Sequence, residues 1–371
     1  MIVIADDITG AAEIAGIAFK HGQQVRLVCG CSTAADKTAF TANGTVVIAT
    51  DTRSLTESEA IAETRHIAKS AQWGRFFDLK VRSVTCAIHC ALFKKTDSAL
   101  RGHVVAELTA LMEATGYPRA VYLPANPSKG RIIRAHTYYI YNKPIAETDF
   151  SFDPEFPARN SSLLERFPQA SNHNILMPDA ETADDIRRII HQYNDGRTLF
   201  AGAADLFTVL LESSISSSHS SSFRPSRTAG QSTLLLCGST QSKALNIGIP
   251  VAPMPQAIYD GDDDLTLWDT SQYDTAGSLI LTIPHTHRTG KAVAVHLRTV
   301  MARMACRLIA RHRPDHLVIE GGATAWATLN ALGWTDFEIT REIAPGVVQM
   351  SATSGTLVTL KPGSYPWGEL F

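Results

Sequence analysis

The chain has 371 residues, of which 44% are hydrophobic and 19% charged, and its formal net charge is −2 at neutral pH. That length is too great for one ordinary core and predicts two domains. The near-neutral, interspersed charge excludes the basic field of a nucleic-acid or membrane-surface binder, while a few placed cations would still suit a small acidic ligand.

No apolar run reaches membrane-spanning length, and Met1 leads straight through a short apolar run into Asp6-Asp7 without a basic leader, so a cytoplasmic protein is expected. Six Cys are too few for a disulfide framework. Cys29-x-Cys31 and Cys86-x-x-His89-Cys90 lack the spacing of a zinc ribbon or finger, so reduced thiols are expected there and no metal site.

In chain order, "MIVIA" predicts a strand and "GAAEIAGIAFKHG" a small-residue helix. "QVRLVC" and "TVVIATD" are β-branched runs bounded by turn residues. "SLTESEAIAETRHIAKSAQW" predicts a helix capped by Thr56, with Glu59 three residues on. "ALFKKT" and "RAVYLPA" predict strands around a helix, "HVVAELTALMEATG". From about Pro124 to Asn174 the periodicity fades into a Pro- and Tyr-rich excursion with short strands, of a length that is usually functional. "NILMPDAETADDIRRIIHQYND" and "RTLFAGAADLFTVLLESS" restore the alternation.

The Ser-rich "SSISSSHSSSFRPSRTAGQS" predicts a linker or mobile loop, which divides the chain into domains 1–212 and 232–371 joined by 213–231. Beyond it come "TLLLCGSTQSKALN", "SLILTIP", a long helix "KAVAVHLRTVMARMACRLIARH" and "HLVIEGGATAWATLNALG". Leu297, Met301, Met304 and Leu308 form one stripe of that helix and are expected in the core. The fold class expected is α/β, with two domains, each a mostly parallel sheet flanked by helices.

Ligands of open α/β sheets bind beyond the carboxyl ends of the strands. Four polar clusters of the first domain stand there: Asp6 to Gly10, Thr50 to Arg53, Lys95 to Gly102, and Asn126 to Arg131. Taken singly, Asp7 or Thr9 is a helix cap, and Asp97 with Arg101 is an ion pair worth little. Their coincidence at one sheet edge favours a ligand site. Arg53 would clamp a carboxylate, a helix starting near Ser98 would offer N–H groups to an anion, and Asp7 and Asp97 would accept a hydroxyl proton.

The second domain places glycines after strands: Gly238-Ser239, Gly321-Gly322 before Thr324, and Pro345-Gly346, with Lys361 and Gly363 in "LKPGSYPWGE". Glycine lets backbone N–H groups approach phosphate oxygens, and a helix after Gly322 would add its dipole. Three such turns and a late Lys point to a nucleotide phosphate site, although neither GxxxxGK[ST] nor GxGxxG is present.

With these motifs in this order, the sequence resembles the four-carbon acid sugar kinases, the group of threonate, erythronate and 3-oxo-tetronate kinases. "DDITGAAEIAG", "TDTRS", "KKTDSALRG", "PANPSKGR", "ETDFSFDP", "GSTQS", "EGGATA", "APGV" and the closing "LKPGS…WG" carry the likeness over nearly the whole chain. Ala99 stands where Thr is usual and His103 where Asn is common. "PANP" replaces "PAFP", and "GSYPWG" replaces "GNFG".

The resemblance implies an N-terminal domain binding a sugar acid and a C-terminal domain binding ATP. By the same resemblance, Asp7, Arg53, Lys95, Thr96, Asp97 and Ser98 are expected at the acid, and Ser239, Gly322, Thr324, Gly346 and Gly363 at the ATP. The residue pattern itself adds Arg101 to the first group, and Gly321 and Lys361 to the second. The expected reaction is transfer of the ATP γ-phosphoryl group to a hydroxyl of a four-carbon sugar acid, with Mg²⁺ bridging the phosphates and domain closure excluding water. The rival readings are an ATP-dependent ligase or a lyase acting on a small hydroxy acid, and a non-enzymatic sugar-acid sensor. No nucleic-acid or membrane partner is expected.

Overall fold

The computed structural model describes residues 1–30, 44–69, 92–153, 155–213, 231–239, 245–284, 290–363 and 365–370. The chain divides into two compact units, Met1–His219 and Ser220–Phe371. Nearly all of the Ser-rich stretch, together with Cys31, Cys86, His89 and Cys90, lies outside the described residues.

The first unit is built on strands β1 (Ile2–Ala5), β2 (Val25–Cys29), β3 (Thr45–Ala49), β4 (Leu92–Lys95) and β5 (Arg119–Leu123). It continues with β6 (Arg131–Arg134), β7 (Thr137–Ile140), β8 (Lys143–Pro144), β9 (Ile175–Leu176) and β10 (Thr198–Gly202). One sheet runs β2-β3-β1-β4-β10-β5-β9 with every pairing parallel. The central strands are buried along their whole length, which explains their continuous apolar runs.

Helices α1 (Ile8–Lys20), α2 (Glu57–Lys69), α3 (Val104–Thr115), α4 (Ala183–Tyr193) and α5 (Ala204–Glu212) cover the sheet. α1 packs beside α5, and α2 packs on α3. Thr56 and Glu59 start α2 as expected: the Thr56 N–H donates to Glu59 at 2.9 Å and the Glu59 N–H to the Thr56 hydroxyl at 3.4 Å. β1 and β4 are neighbours, yet the chain leaves β1 through α1 toward β2 on one side and leaves β4 through α3 toward β5 on the other. The carboxyl ends of β1 and β4 therefore bound a switch-point crevice.

The excursion is an antiparallel meander, β6-β7-β8. Its two hairpin turns use Ala135-His136 (φ 47° and 58°) and Tyr141-Asn142 (φ 48° and 64°), the paired positive φ of a two-residue turn that suits strand twist.

The second unit holds β11 (Thr233–Cys237), β12 (Val251–Pro253), β13 (Leu279–Thr282), β14 (His316–Glu320), β15 (Asp336–Ala344), β16 (Val347–Ala352) and β17 (Leu357–Lys361). Its sheet runs β12-β13-β11-β14-β17-β16-β15, with the first five strands parallel and β16 antiparallel to both neighbours. Helix α6 (Lys291–His312) packs on α7 (Gly322–Ala331). Met301, Met304 and Leu308 are buried as the stripe predicts, while Leu297 stays half-buried beside a cleft. Each unit is thus a mostly parallel α/β sheet, as expected. Among the described residues no helix is long and apolar enough to cross a membrane, and no group of three His, Cys, Asp or Glu could hold a metal.

Candidate active site

In the first unit the polar residues at the ends of β1, β3 and β4 converge. Asp51 takes a left-handed conformation (φ 52°) and opens the short turn that carries Arg53. The Arg53 N–H donates to the Asp6 carbonyl at 3.2 Å. Its guanidinium donates through Nε and Nη2 to Asp6 Oδ2, at 3.0 and 2.9 Å, and through Nη2 to Asp7 Oδ1 at 3.0 Å. A third carboxylate, Asp97, lies 3.8 Å from Nη2. Arg53, expected to clamp a carboxylate, here joins the carboxylates of Asp6 and Asp7.

Asp7 caps α1, accepting from the Gly10 N–H at 2.9 Å and from the Thr9 hydroxyl. Burial favours its neutral form, but Arg53, Lys95 and the Thr9 hydroxyl outweigh burial and hold the carboxyl below its usual range. Asp6 shifts the other way, because burial raises it more than Arg53 lowers it. Asp6 Oδ1 and Thr96 Oγ1 are buried with no hydrogen-bond partner. They stand at the ends of adjacent strands, one residue beyond the paired Ala5 and Lys95. Unpaired buried groups are rare in folded proteins, and a ligand hydroxyl or water would satisfy both.

Asp97 closes a tight turn, not a helix start. It accepts from the Ala99 and Arg101 N–H groups at 3.0 and 3.3 Å, and from Arg101 Nε and Nη2 at 2.8 and 3.0 Å. Leu100 (φ 64°) and Gly102 (φ 94°) complete the turn, and the helix expected near Ser98 begins at Val104. The anion-binding N–H groups expected at Ser98 are therefore absent. Burial opposes ionisation of Asp97, but Arg53 and Arg101 hold it far below the usual carboxylate range.

The excursion braces this turn. Arg131 donates to the Ser98 hydroxyl, and the Tyr138 hydroxyl to the Ser98 carbonyl. Arg166 reaches the Leu100 carbonyl at 3.0 Å. Phe150 lies under both guanidinium groups, 5.9 Å from Arg101 and 5.7 Å from Arg131.

The two lysines of β4 point to opposite faces, as strand alternation requires. Lys94 forms a buried pair with Glu107 of α3 at 2.6 Å, and Thr52 donates to the same carboxylate at 2.8 Å. Lys94 is thus structural. Lys95 turns toward α1, 3.4 Å from Glu13, and donates to the Thr96 carbonyl at 3.1 Å.

In the second unit the glycine turns after β11, β14 and β17 meet. A Cβ on Gly238 would lie 2.0 Å from Thr324 Oγ1, and one on Gly363 would lie 2.2 Å from Ser239 Oγ. Only glycine allows these approaches. Gly238, Ser239 and Gly321–Thr324 line a cleft of about 270 Å³ with Ile283, Ala294, Leu297, Arg298 and Met301. α7 starts at Gly322 with no side-chain cap, so its first N–H groups are open to an anion.

Of the residues expected at the nucleotide, Ser239, Gly321, Gly322 and Thr324 line this cleft; Gly363 adjoins it through Ser239, and Lys361 and Gly346 are engaged in other contacts. Lys361 donates to Glu320 at 2.5 Å and to the Pro362 and Gly363 carbonyls at 3.1 Å each. Those bonds occupy all three ammonium donors. Gly346 (φ 78°) makes the β15–β16 turn, where a Cβ would meet the Tyr365 ring at 2.6 Å. Neither residue lines the cleft. Beneath it, burial and then Glu320 push the Cys237 thiol up to about 12.

Sequence reasoning missed Asp6 as the holder of Arg53, and the only available signal was its place beside Asp7. It also did not single out Arg298, which lines the cleft from inside a helical pattern.

Comparison with known proteins adds to this geometry. Residues 1–192 match the family model described as a sugar-binding N-terminal domain, and residues 236–365 match a nucleotide-binding C-terminal domain. The chain is 29% identical over 167 residues to a D-threonate kinase of Salmonella typhimurium, covering 44% of this chain. That match spans 35% of the relative's length, so about a third of the relative is aligned. A 3-oxo-tetronate kinase of Methylobacterium radiotolerans is 23% identical over 99% of this chain and 96% of its own. The crystal structure of a Haemophilus influenzae protein shares the fold, with a TM-score of 0.69 and 20% identity over 99% of this chain and 97% of its own.

Proposed function

The chain belongs to the four-carbon acid sugar kinase family, and on that premise we propose that it transfers the ATP γ-phosphoryl group to a hydroxyl of a four-carbon sugar acid. The observation that carries the reading is the presence, in one chain, of a buried carboxylate–cation cluster at one switch point and an anion-ready helix start walled by glycines. In this reading residues 1–212 bind the acid, 232–371 bind the nucleotide and 213–231 link them. In this reading the protein works in the cytoplasm, in keeping with the unbridged Cys237 and Cys306 of the described residues. Its partners are the sugar acid and ATP.

Phosphoryl transfer is mostly positioning and charge neutralisation. Lys95 and the Arg53-held pair Asp6 and Asp7 would orient the acid, with Thr96 and Asp6 offering their unpaired oxygens to its hydroxyls. Asp7 is the better acceptor for the attacking hydroxyl proton. Its carboxylate already takes three donors, whereas Asp97 takes four and serves its own turn. Ser239, Gly321, Gly322 and Thr324 would cradle phosphates, with Gly363 giving Ser239 its room. The described lining of the cleft offers no carboxylate, and Glu320 is engaged by Lys361. These residues suit a Mg²⁺ that arrives on the nucleotide phosphates and keeps its waters, supplying charge neutralisation there.

Phosphorus NMR of a reaction holding ATP and the sugar acid tests the reading. An alcohol phosphate ester supports it. An acyl phosphate trapped by hydroxylamine would mean a ligase, and acid binding without any phosphorus transfer would mean a sensor.

A further inference from the structure

The nucleotide cleft needs positive charge, and the lysine expected to supply it is bound to Glu320. The cleft-facing surface of α6 consists of Ala294, Leu297, Arg298 and Met301, positions that recur on one side of a helix. Three of them are apolar, and Arg298 is the one charged residue in the described lining.

Two other arginines of the helix have carboxylate partners. Arg303 pairs with Asp263 at 3.3 Å and Arg311 with Asp274 at 3.0 Å. Arg298 has no ion-pair or hydrogen-bond partner among the described residues, although it is half-buried. A half-buried guanidinium with no carboxylate, in one cleft with the open N–H groups of α7, is placed to meet an anion.

We propose that Arg298 binds the phosphate chain of the nucleotide as the side-chain cation of the cleft, while Lys361 sets the shape of the Gly363 turn. This rests on the kinase reading. The guanidinium fork engages phosphate oxygens that the α7 N–H groups leave exposed, and Leu297, Met301 and Ile283 offer apolar surface to the rest of the nucleotide.

The test is calorimetric binding of ATP, ADP and adenosine to the full chain, in wild type and in the Arg298→Gln, Arg298→Met and Arg298→Lys variants. The expected result is a loss of about tenfold or more in ATP affinity for Gln and Met. Adenosine binding should stay unchanged, and the Lys variant should fall between. The methionine variant preserves the apolar face of the helix and so guards against misfolding. Equal ATP affinity in wild type and the Gln and Met variants, or equal losses for ATP and adenosine, would overturn the assignment and leave the kinase reading standing. A folded wild type that binds no ATP would overturn both.

Discussion

Arg53 donates through Nε and Nη2 to a single oxygen of Asp6, at 3.0 and 2.9 Å, and its Nη2 also reaches Asp7 at 3.0 Å. One guanidinium thus fixes two consecutive carboxylates at the mouth of the first unit. A lysine has the charge but not the fork needed to hold both. Arg53→Lys should lower kcat/KM for the acid by about tenfold or more, which is about 1.4 kcal/mol, and leave KM for ATP nearly unchanged. Steady-state kinetics with each substrate varied in turn checks this, and unchanged kcat/KM would remove Arg53 from the site.

Lys94 and Glu107, 2.6 Å apart and both buried, predict a stability effect without a catalytic one. Removing one partner leaves an uncompensated buried charge and should cost about 3–5 kcal/mol. Lys94→Met or Glu107→Leu alone should lower the urea midpoint strongly, and the double variant should recover much of the loss. Activity per folded molecule should be unaffected. A catalytic defect in the stable double variant would show that Lys94 reaches the substrate.

Acid should expose the opposed carboxylates. Asp7 and Asp97 are held below the unfolded value of about 3.9. The stability they confer is complete above that value and declines as pH falls from it toward their native values. Asp6 is raised, so its contribution has the opposite sign: it is present at low pH and is lost as pH rises through the native value. Between about pH 5 and pH 3 the urea midpoint of Asp97→Asn should therefore fall less than that of wild type, and that of Asp6→Asn should fall more. Parallel curves for all three would contradict the charge assignments.

Gly363 and Gly238 predict a selective defect. A methyl group at either position would press on Ser239 or Thr324, at 2.2 and 2.0 Å. Gly363→Ala and Gly238→Ala should weaken ATP binding by tenfold or more, about 1.4 kcal/mol, while sugar-acid binding stays as in wild type. Calorimetry with each ligand separates the two, and equal ATP affinity would show that the turns do not shape the phosphate site.

Much of this was legible because alternating strands and helices leave strong periodic signals, and because polar residues after strands mark ligand edges. The full extent of α6, Lys291–His312, could be read directly. What escaped depended on pairings distant in sequence. Nothing near Arg53 announces Asp6, 47 positions away, and nothing near Lys361 announces Glu320, its register partner on β14. The string "HVVAELTALMEATG" locates α3 within a residue, but the further suggestion of helical N–H groups at Ser98 fails because Asp97 binds its own turn and Leu100 adopts positive φ, a conformation few would assign to leucine. The opposite facing of Lys94 and Lys95 was available from strand alternation alone.

The most direct measurement is ADP release from Mg-ATP by the full chain with a panel of threonate, erythronate and 3-oxo-tetronate stereoisomers. Gluconate and the Asp7→Asn variant serve as controls. The account predicts turnover on at least one four-carbon acid, little on gluconate, and a fall of about a hundredfold in the variant. ATP bound with no acid-dependent ADP release on any isomer, or full turnover in Asp7→Asn, would contradict it.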